Sequence, residues 1–91
     1  MRVVVQEPPF DFGAEAAGFA AGRSVSGAIV TFTGVVRDID GGLTAMEIEH
    51  YPGMTEAALH AIAREAVQRW ELEDVLVIHR HGRLVPGEMI M

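Results

Sequence analysis

The sequence contains no cysteine and no lysine, and each absence excludes a class of chemistry. Without cysteine there is no disulfide, no thiolate metal ligand and no thiol nucleophile, as is typical of proteins from a reducing compartment. Without lysine, all seven basic side chains are arginine, whose guanidinium stays protonated and presents a planar fork of donors. Any bound anion must therefore be held by a local arrangement of arginine side chains.

Positive charge and long apolar runs are also scarce. A formal net charge of −6 argues against a nucleic-acid-binding protein, which needs a surplus of basic residues on one face. The valines near the N-terminus are too few for a secretory signal, and no run approaches the roughly 20 apolar residues that span a bilayer. We therefore expect a cytoplasmic protein that binds neither nucleic acid nor membranes.

The composition is otherwise that of an ordinary globular protein. Apolar residues make up 49% of the 91 positions and charged residues 22%. We predict one domain, residues 1–91, and a domain of this size buries roughly 60–70% of its unfolded surface.

Periodicity and turn residues predict an α+β domain with two helices. Asp11 is an N-cap candidate and Gly22 a stop signal for the first helix, while the second carries the clearest apolar stripe. β-Branched residues favour a long strand from Ser26, with the following strand returning as its antiparallel neighbour. The predicted helices are Asp11–Ala21 and Met54–Trp70, and the predicted strands are Arg2–Gln6, Ser26–Val36, Leu43–Tyr51 and Asp74–His81. A further apolar run, Glu88–Met91, would leave an edge that needs a partner.

Arg37 is the candidate anion-binding residue. It follows the predicted strand Ser26–Val36 and precedes the glycine-rich turn Asp38–Gly42. An arginine fork suits phosphate or carboxylate, and Gly34 allows another backbone to approach closely. Taken alone, the same pattern also describes a solvated arginine at the end of a strand.

The histidines allow two further interpretations. His79 and His81 share one face of a predicted strand, as a metal pair does, but no third ligand is placed by spacing and Arg80 and Arg83 disfavour a cation. We therefore predict no metal site. His50 is suited to acid–base chemistry near neutral pH, or it fixes the corner between a strand and the helix that follows.

Several segments together carry a resemblance that none carries alone. The segments are GAIVTFTGVVR at Gly27–Arg37, EHYPGMTE at Glu49–Glu56, RW at Arg69–Trp70, IHRHGRL at Ile78–Leu84 and PGE at Pro86–Glu88. In this order and spacing they resemble the large, catalytic subunit of molybdopterin synthase. The resemblance runs from about Gly27 to the end of the sequence.

This resemblance implies an α/β hammerhead-type fold with mostly antiparallel strands, assembled as a homodimer with a small ubiquitin-like sulfur-carrier subunit docked at each end. In such proteins the carrier's Gly-Gly tail bears a thiocarboxylate and threads into a pocket of the large subunit. The sulfur passes to cyclic pyranopterin monophosphate, and two rounds form the dithiolene of molybdopterin. The implied activity is that of a sulfurtransferase in molybdenum cofactor biosynthesis, without a metal or other cofactor.

Carried over by position, the family's substrate-binding turn corresponds to Val35, Val36 and Arg37, with Phe32 as a nearby pocket wall. Arg37 is expected to contact the phosphate or the pterin. Val35 stands where relatives often have a basic residue. The loop Asp38–Gly42 is expected to be mobile until substrate binds.

The main departure from the family pattern is the missing lysine. The pattern continues past the turn at Val85–Gly87 into a strand, a long helix and two lysines that serve the sulfur acceptor, and this sequence has no lysine. The resemblance therefore implies a truncated chain that has no catalytic residue of its own and is inactive alone. The alternative function is a non-catalytic module that binds the sulfur carrier or dimerises.

Overall fold

The computed structural model describes all residues, 1–91, and contains two helices and four short strands. In chain order the elements are β1 (Arg2–Gln6), α1 (Phe12–Ala20), β2 (Met46–Ile48), α2 (Met54–Trp70), β3 (Leu76–Arg80) and β4 (Gly82–Leu84). The α+β class and the two helices are therefore confirmed. Neither helix combines the length and apolarity that crossing a bilayer requires.

Both helices begin and end at the residues that local signals indicate. The Asp11 side chain accepts a hydrogen bond from the Ala14 amide at 2.9 Å, which satisfies one of the free N–H groups at the start of α1. The chain leaves α1 through Gly22, whose φ of 73° suits glycine. At α2, the Glu56 carboxylate accepts from the Gly53 amide at 2.8 Å, which is one half of a capping box.

The apolar stripe predicted for α2 is only partly covered. The helix packs against β1, and Ala63 is its one buried residue. Leu59, Ala66 and Val67 are half-buried on the same side, whereas Ile62 and Trp70 are exposed. A helical stripe is buried only where a neighbouring element covers it, and here β1 covers a narrow part of it.

Strand β1 pairs with β3 in parallel, with Arg2 opposite Leu76 and Gln6 opposite Arg80. A parallel pair needs a long crossover, and here the connection includes α2. The expectation of mostly antiparallel strands holds for β2 with β4 and for the bridge between Val35 and Met89, but not for this pair.

The strand predicted at Ser26–Val36 is wrong over most of its length. Only Gly34 and Val36 make backbone hydrogen bonds, both with Gly87–Met91, and residues 24–33 make none. Propensity for the extended conformation does not by itself form a strand, because a strand needs a partner for its N–H and C=O groups. Leu43–Tyr51, predicted as that partner, is a strand only at Met46–Ile48.

Strand β2 pairs instead with β4, an element that the sequence did not predict. The register sets Met46 opposite Leu84 and Ile48 opposite Gly82. Glu47 lies opposite Arg83 in the same register. Strand β4 has only three residues, which are too few to show a recognisable alternation of apolar and polar residues, so the sequence did not predict it.

The buried core is small for a chain of this length. Its apolar members are Val36, Ala63, Ile78 and Leu84, and the one buried charged residue is Arg80. The accessible surface is 6403 Å², whereas a compact protein of 9.9 kDa exposes roughly 5,200 Å². The radius of gyration, 14.8 Å, likewise exceeds the roughly 12 Å of a compact chain of this length. Large apolar side chains therefore remain uncovered.

An ion-pair network holds the N-terminus. Asp74, just before β3, lies 2.9 Å from the Met1 amino group and 2.5 Å from the Arg23 guanidinium. The hydrogen bonds from the amino group and from Arg23 hold the pKa of Asp74 well below its usual range. The network joins three places that are distant in sequence: the first residue, the turn after α1 and the entry to β3.

Leu84→Ala tests the small core. Leu84 is fully buried, and removing its side chain leaves a cavity, so we expect the free energy of unfolding to fall by about 2–5 kcal/mol. Chemical denaturation measures this change. The exposed Leu43→Ala is the matched control, and equal losses for the two variants would contradict the burial seen at Leu84.

Asp74→Asn tests the ion-pair network through its pH dependence. Because folding lowers the pKa of Asp74, its carboxylate stabilises the fold above the unfolded value of about 3.9, and this contribution is lost as pH falls through the folded value. We expect the variant to have a lower Tm than wild type at pH 7. The difference should shrink steadily below about pH 4.

Thermal denaturation between pH 2 and pH 7 measures the difference. Asp40→Asn is the control, because Asp40 is exposed and makes no ion pair. A constant difference between Asp74→Asn and wild type over this range would contradict the role of the charge.

Candidate functional site

Arg37 is presented by a short antiparallel ladder between Gly34–Val36 and Gly87–Met91. Its four hydrogen bonds run from Gly34 N to Met91 O at 2.9 Å, Ile90 N to Gly34 O at 2.7 Å, Val36 N to Glu88 O at 2.9 Å and Gly87 N to Val36 O at 2.9 Å. Arg37 is the first residue beyond this ladder, and it is exposed. Its guanidinium makes no hydrogen bond or ion pair within the chain.

The four predicted site residues do not line one pocket. Val35 and Arg37 are exposed, whereas the Val36 side chain is 3% exposed and belongs to the core. Both backbone groups of Val36 are used by the ladder, so this residue has no polar group free for a ligand. Phe32, 81% exposed, lines an apolar groove of which Arg37 is not a part. The pocket expected around Arg37 is thus not formed by these 91 residues alone.

That groove has a volume of about 350 Å³. It runs between α1, the unpaired segment 26–33 and β3. Its apolar lining includes Phe10, Phe12, Phe19, Ile29, Phe32 and Met91. The charged residues at its rim include Arg23, Glu73 and Asp74, and these already pair with one another. The groove therefore offers apolar contact rather than an unpaired charge.

Sequence reasoning did not identify this groove. Phe12, Ala16 and Phe19 have the spacing of one helical face, and this face of α1 lines the groove. The other wall, residues 26–33, was expected to lie within a sheet. Without that sheet, its side chains face the groove and solvent.

A second polar cluster joins two histidines that are distant in sequence. The rings of His50 and His81 stack with centroids 4.2 Å apart and planes inclined by 14°. His50 Nε2 lies 3.3 Å from the Glu56 carboxylate, and His50 Nδ1 is buried without a hydrogen-bond partner. Hydrogen bonds from the backbone amides of Glu56 and Gly53 keep the pKa of Glu56 below its usual range, and the nearby imidazoles add to this.

The pairing of His79 with His81 on one face is not seen. His79 lies in β3 and its Nδ1 is 2.8 Å from the Arg80 carbonyl oxygen, whereas His81 follows the strand and stacks on His50. The chain has no group of three or more histidine, cysteine or acidic side chains arranged to bind a metal ion.

The EHYPGMTE segment forms the corner between β2 and α2. The Tyr51 phenol donates to the Glu49 carboxylate, which raises the pKa of Tyr51. The Tyr51 amide donates to the Thr55 hydroxyl at 3.2 Å, and its carbonyl accepts from the Thr55 amide at 3.0 Å. His50 and Tyr51 thus contact residues of the first turn of α2 at this corner, and Tyr51 is 56% exposed.

Residues 5–91 match the family model described as MoaE protein. The chain belongs to the MoaE protein family. The molybdopterin synthase catalytic subunit of Cereibacter sphaeroides is 70% identical over 91 residues, and that of Mesorhizobium japonicum is 52% identical over 89 residues. A solved structure, the molybdopterin biosynthesis MoaE protein from Burkholderia ambifaria MC40-6, is 47% identical, with a TM-score of 0.86.

These MoaE relatives are longer than this chain. The chain spans 62% of the Cereibacter protein and 56% of the Mesorhizobium protein. The alignment with the Burkholderia structure covers 98% of this chain and 58% of that one. The resemblance to the catalytic subunit of molybdopterin synthase is confirmed.

Proposed function

We propose that this chain supplies the anion-binding part of a molybdopterin synthase catalytic subunit. The reaction is the transfer of sulfur from a thiocarboxylated carrier subunit to cyclic pyranopterin monophosphate, in the cytoplasm. Family membership and the printed names of the relatives support this role. The observation that carries it is an exposed arginine without an intramolecular partner, Arg37, at the end of a hydrogen-bonded ladder.

Arg37 and Arg83 are the two arginines whose guanidinium makes no hydrogen bond, ion pair or cation–π contact within the chain, and of the two only Arg37 precedes the glycine-rich turn Asp38–Gly42. Arg2 and Arg23 bind acidic side chains, and Arg80 is buried. Arg64 contacts His60, and Arg69 lies over the ring of Trp70. In a chain of net charge −6, an unpaired guanidinium is the group best suited to a phosphate-bearing substrate.

The neighbouring acid does not neutralise Arg37. The Asp38 carboxylate accepts a hydrogen bond from the Gly41 amide at 2.9 Å, which closes the turn after Arg37. Gly41 has a φ of 76°, a conformation that most residues avoid. Asp38 thus shapes the loop, and we propose that Asp38–Gly42 reorganises when substrate binds.

The uncovered apolar surface supports the proposal that this chain binds partner subunits. The chain exposes roughly 1,200 Å² more than a compact protein of its mass, which is comparable to the roughly 800 Å² that one partner buries in a standard interface. Exposed Phe32 and the groove beside it provide an apolar, aromatic contact surface. We propose that the sulfur carrier and a second copy of the large subunit cover this surface.

The catalytic amine is missing from these 91 residues. The two lysines that the family resemblance assigns to the sulfur acceptor have no counterpart here. We therefore propose that the 91-residue chain binds substrate and carrier without completing sulfur transfer. The second candidate function is a non-catalytic module that binds the carrier or dimerises, and the uncovered apolar surface beside Phe32 favours it. Calorimetry of the 91-residue chain with cyclic pyranopterin monophosphate separates the two, because the first function requires binding of this substrate and a module that contacts only protein does not bind it.

Arg37→Ala tests the anion contact. A charge-assisted hydrogen bond to phosphate contributes about 1–3 kcal/mol, so we expect the Kd for cyclic pyranopterin monophosphate to rise by about 5-fold to 150-fold. Isothermal titration calorimetry measures the Kd. Arg69→Ala on α2 is the matched control and should leave it unchanged, while equal Kd values for Arg37→Ala and wild type would count against the proposal.

Phe32→Asp tests the carrier surface. Exposed aromatic residues dominate many interfaces, and a charge in the groove disfavours its burial, so we expect at least about tenfold weaker binding of the carrier. Analytical ultracentrifugation of the chain with the carrier measures the affinity. Trp70→Asp, an exposed aromatic on α2, is the control. If wild-type chain and carrier sediment separately, the partner proposal is wrong.

A further inference from the structure

Arg80 is the only charged residue buried in the fold, at 5% exposure. Its side chain donates to backbone oxygens from two distant segments. Nε and Nη2 donate to the Glu7 carbonyl at 3.1 and 2.9 Å, and Nη1 donates to the Met89 carbonyl at 3.3 Å. The nearest carboxylate oxygen, from Glu88, lies 3.9 Å from Nη1. The hydrogen-bond donors of this guanidinium are therefore satisfied mainly by backbone carbonyl oxygens and less by a carboxylate.

A buried guanidinium is retained only where its donors are satisfied, because removing the charge from water is costly. The planar fork of arginine suits this site, since it reaches Glu7 on one side and Met89 on the other. A lysine would retain the charge but would present one ammonium to two carbonyl groups. The geometry of the fork, rather than the charge alone, joins the end of β1 to segment 88–91.

The backbone of Arg80 reinforces the same connection. Its amide donates to the Ile90 carbonyl at 2.8 Å, next to the Met89 carbonyl that its side chain binds. Segment 88–91 is thus held on one edge by Arg80. Its other edge forms the ladder with Gly34–Val36, and that ladder ends at Arg37.

We propose that Arg80 is a positioning residue for Arg37. Arg80 binds segment 88–91 on the edge opposite Gly34–Val36. This contact fixes the ladder that presents the Arg37 guanidinium to the anionic group of the substrate. This inference rests on the proposed function of Arg37 as the anion contact. Arg80 itself does not touch the substrate, because its donors are directed at Glu7 and Met89.

Arg80→Lys in the 91-residue chain is the central test. The amides of Gly34, Val36 and Ile90 donate within the ladder, so their hydrogen exchange reports its opening. We expect exchange of these three amides to become at least about tenfold faster, while the amides in the middle of α2 stay as protected as in wild type. We also expect the Kd for cyclic pyranopterin monophosphate to rise by about threefold to tenfold.

Glu88→Gln is the matched control. It removes the distant charge pair with Arg80 but keeps every carbonyl contact, so exchange of the ladder amides should not change. If Arg80→Lys leaves ladder exchange unchanged, or speeds it without weakening binding, the inference is overturned. If Arg37→Ala binds as tightly as wild type, the proposed anion contact fails, whatever the exchange data for Arg80→Lys. These outcomes separate the two claims.

A measurement on wild type covers the case in which Arg80→Lys does not fold. If Arg80 holds the ladder, the Arg80 Nε proton and the amides of Gly34 and Val36 open as one unit and exchange with the same opening free energy. NMR-detected exchange measures all three. Opening of the ladder while the Arg80 Nε proton stays protected would overturn the proposal.

Discussion

The ladder between Gly34–Val36 and Gly87–Met91 is the interaction on which the candidate site depends. Four backbone hydrogen bonds join a segment that has no other backbone partner to the last residues of the sequence. The ladder buries Val36, exposes Val35, and leaves Arg37 as the first residue outside it. On its far side, the buried Arg80 connects it to β1 and β3. The same short backbone segment thus contributes Val36 to the core and positions Arg37 for binding.

Uncovered apolar surface is the second feature that shapes this molecule. Only four apolar residues are buried, and the groove beside Phe32 is open. Since burial of apolar area is the main favourable term in folding, the chain gains little from its own core. We propose that contacts with partner subunits contribute correspondingly more. The family's assembly with partner subunits, which we propose for this chain, is in keeping with that need.

The helices were predictable from sequence because their signals are local. Asp11 caps α1, and Pro52–Gly53 with Glu56 begin α2 at the predicted residue. Strands depend on partners elsewhere in the chain, so Ser26–Val36 was predicted too long and β4 was missed. The position of Arg37 beyond a strand-like segment was foreseen, and the resemblance then gave it a role. The stack of His50 on His81 and the burial of Arg80 arise only from tertiary packing, which no local pattern encodes.

The parallel pairing of β1 with β3 also bears on how the chain reaches its fold. Strand β1 has no partner until synthesis has passed Arg80, because its neighbour β3 ends there. Helix α2, by contrast, closes its hydrogen bonds locally. Contacts between distant parts of a chain form slowly, since the loop between them must first be ordered. The three valines of β1 therefore stay exposed during synthesis, and this hydrophobic segment is open to misassociation before folding finishes.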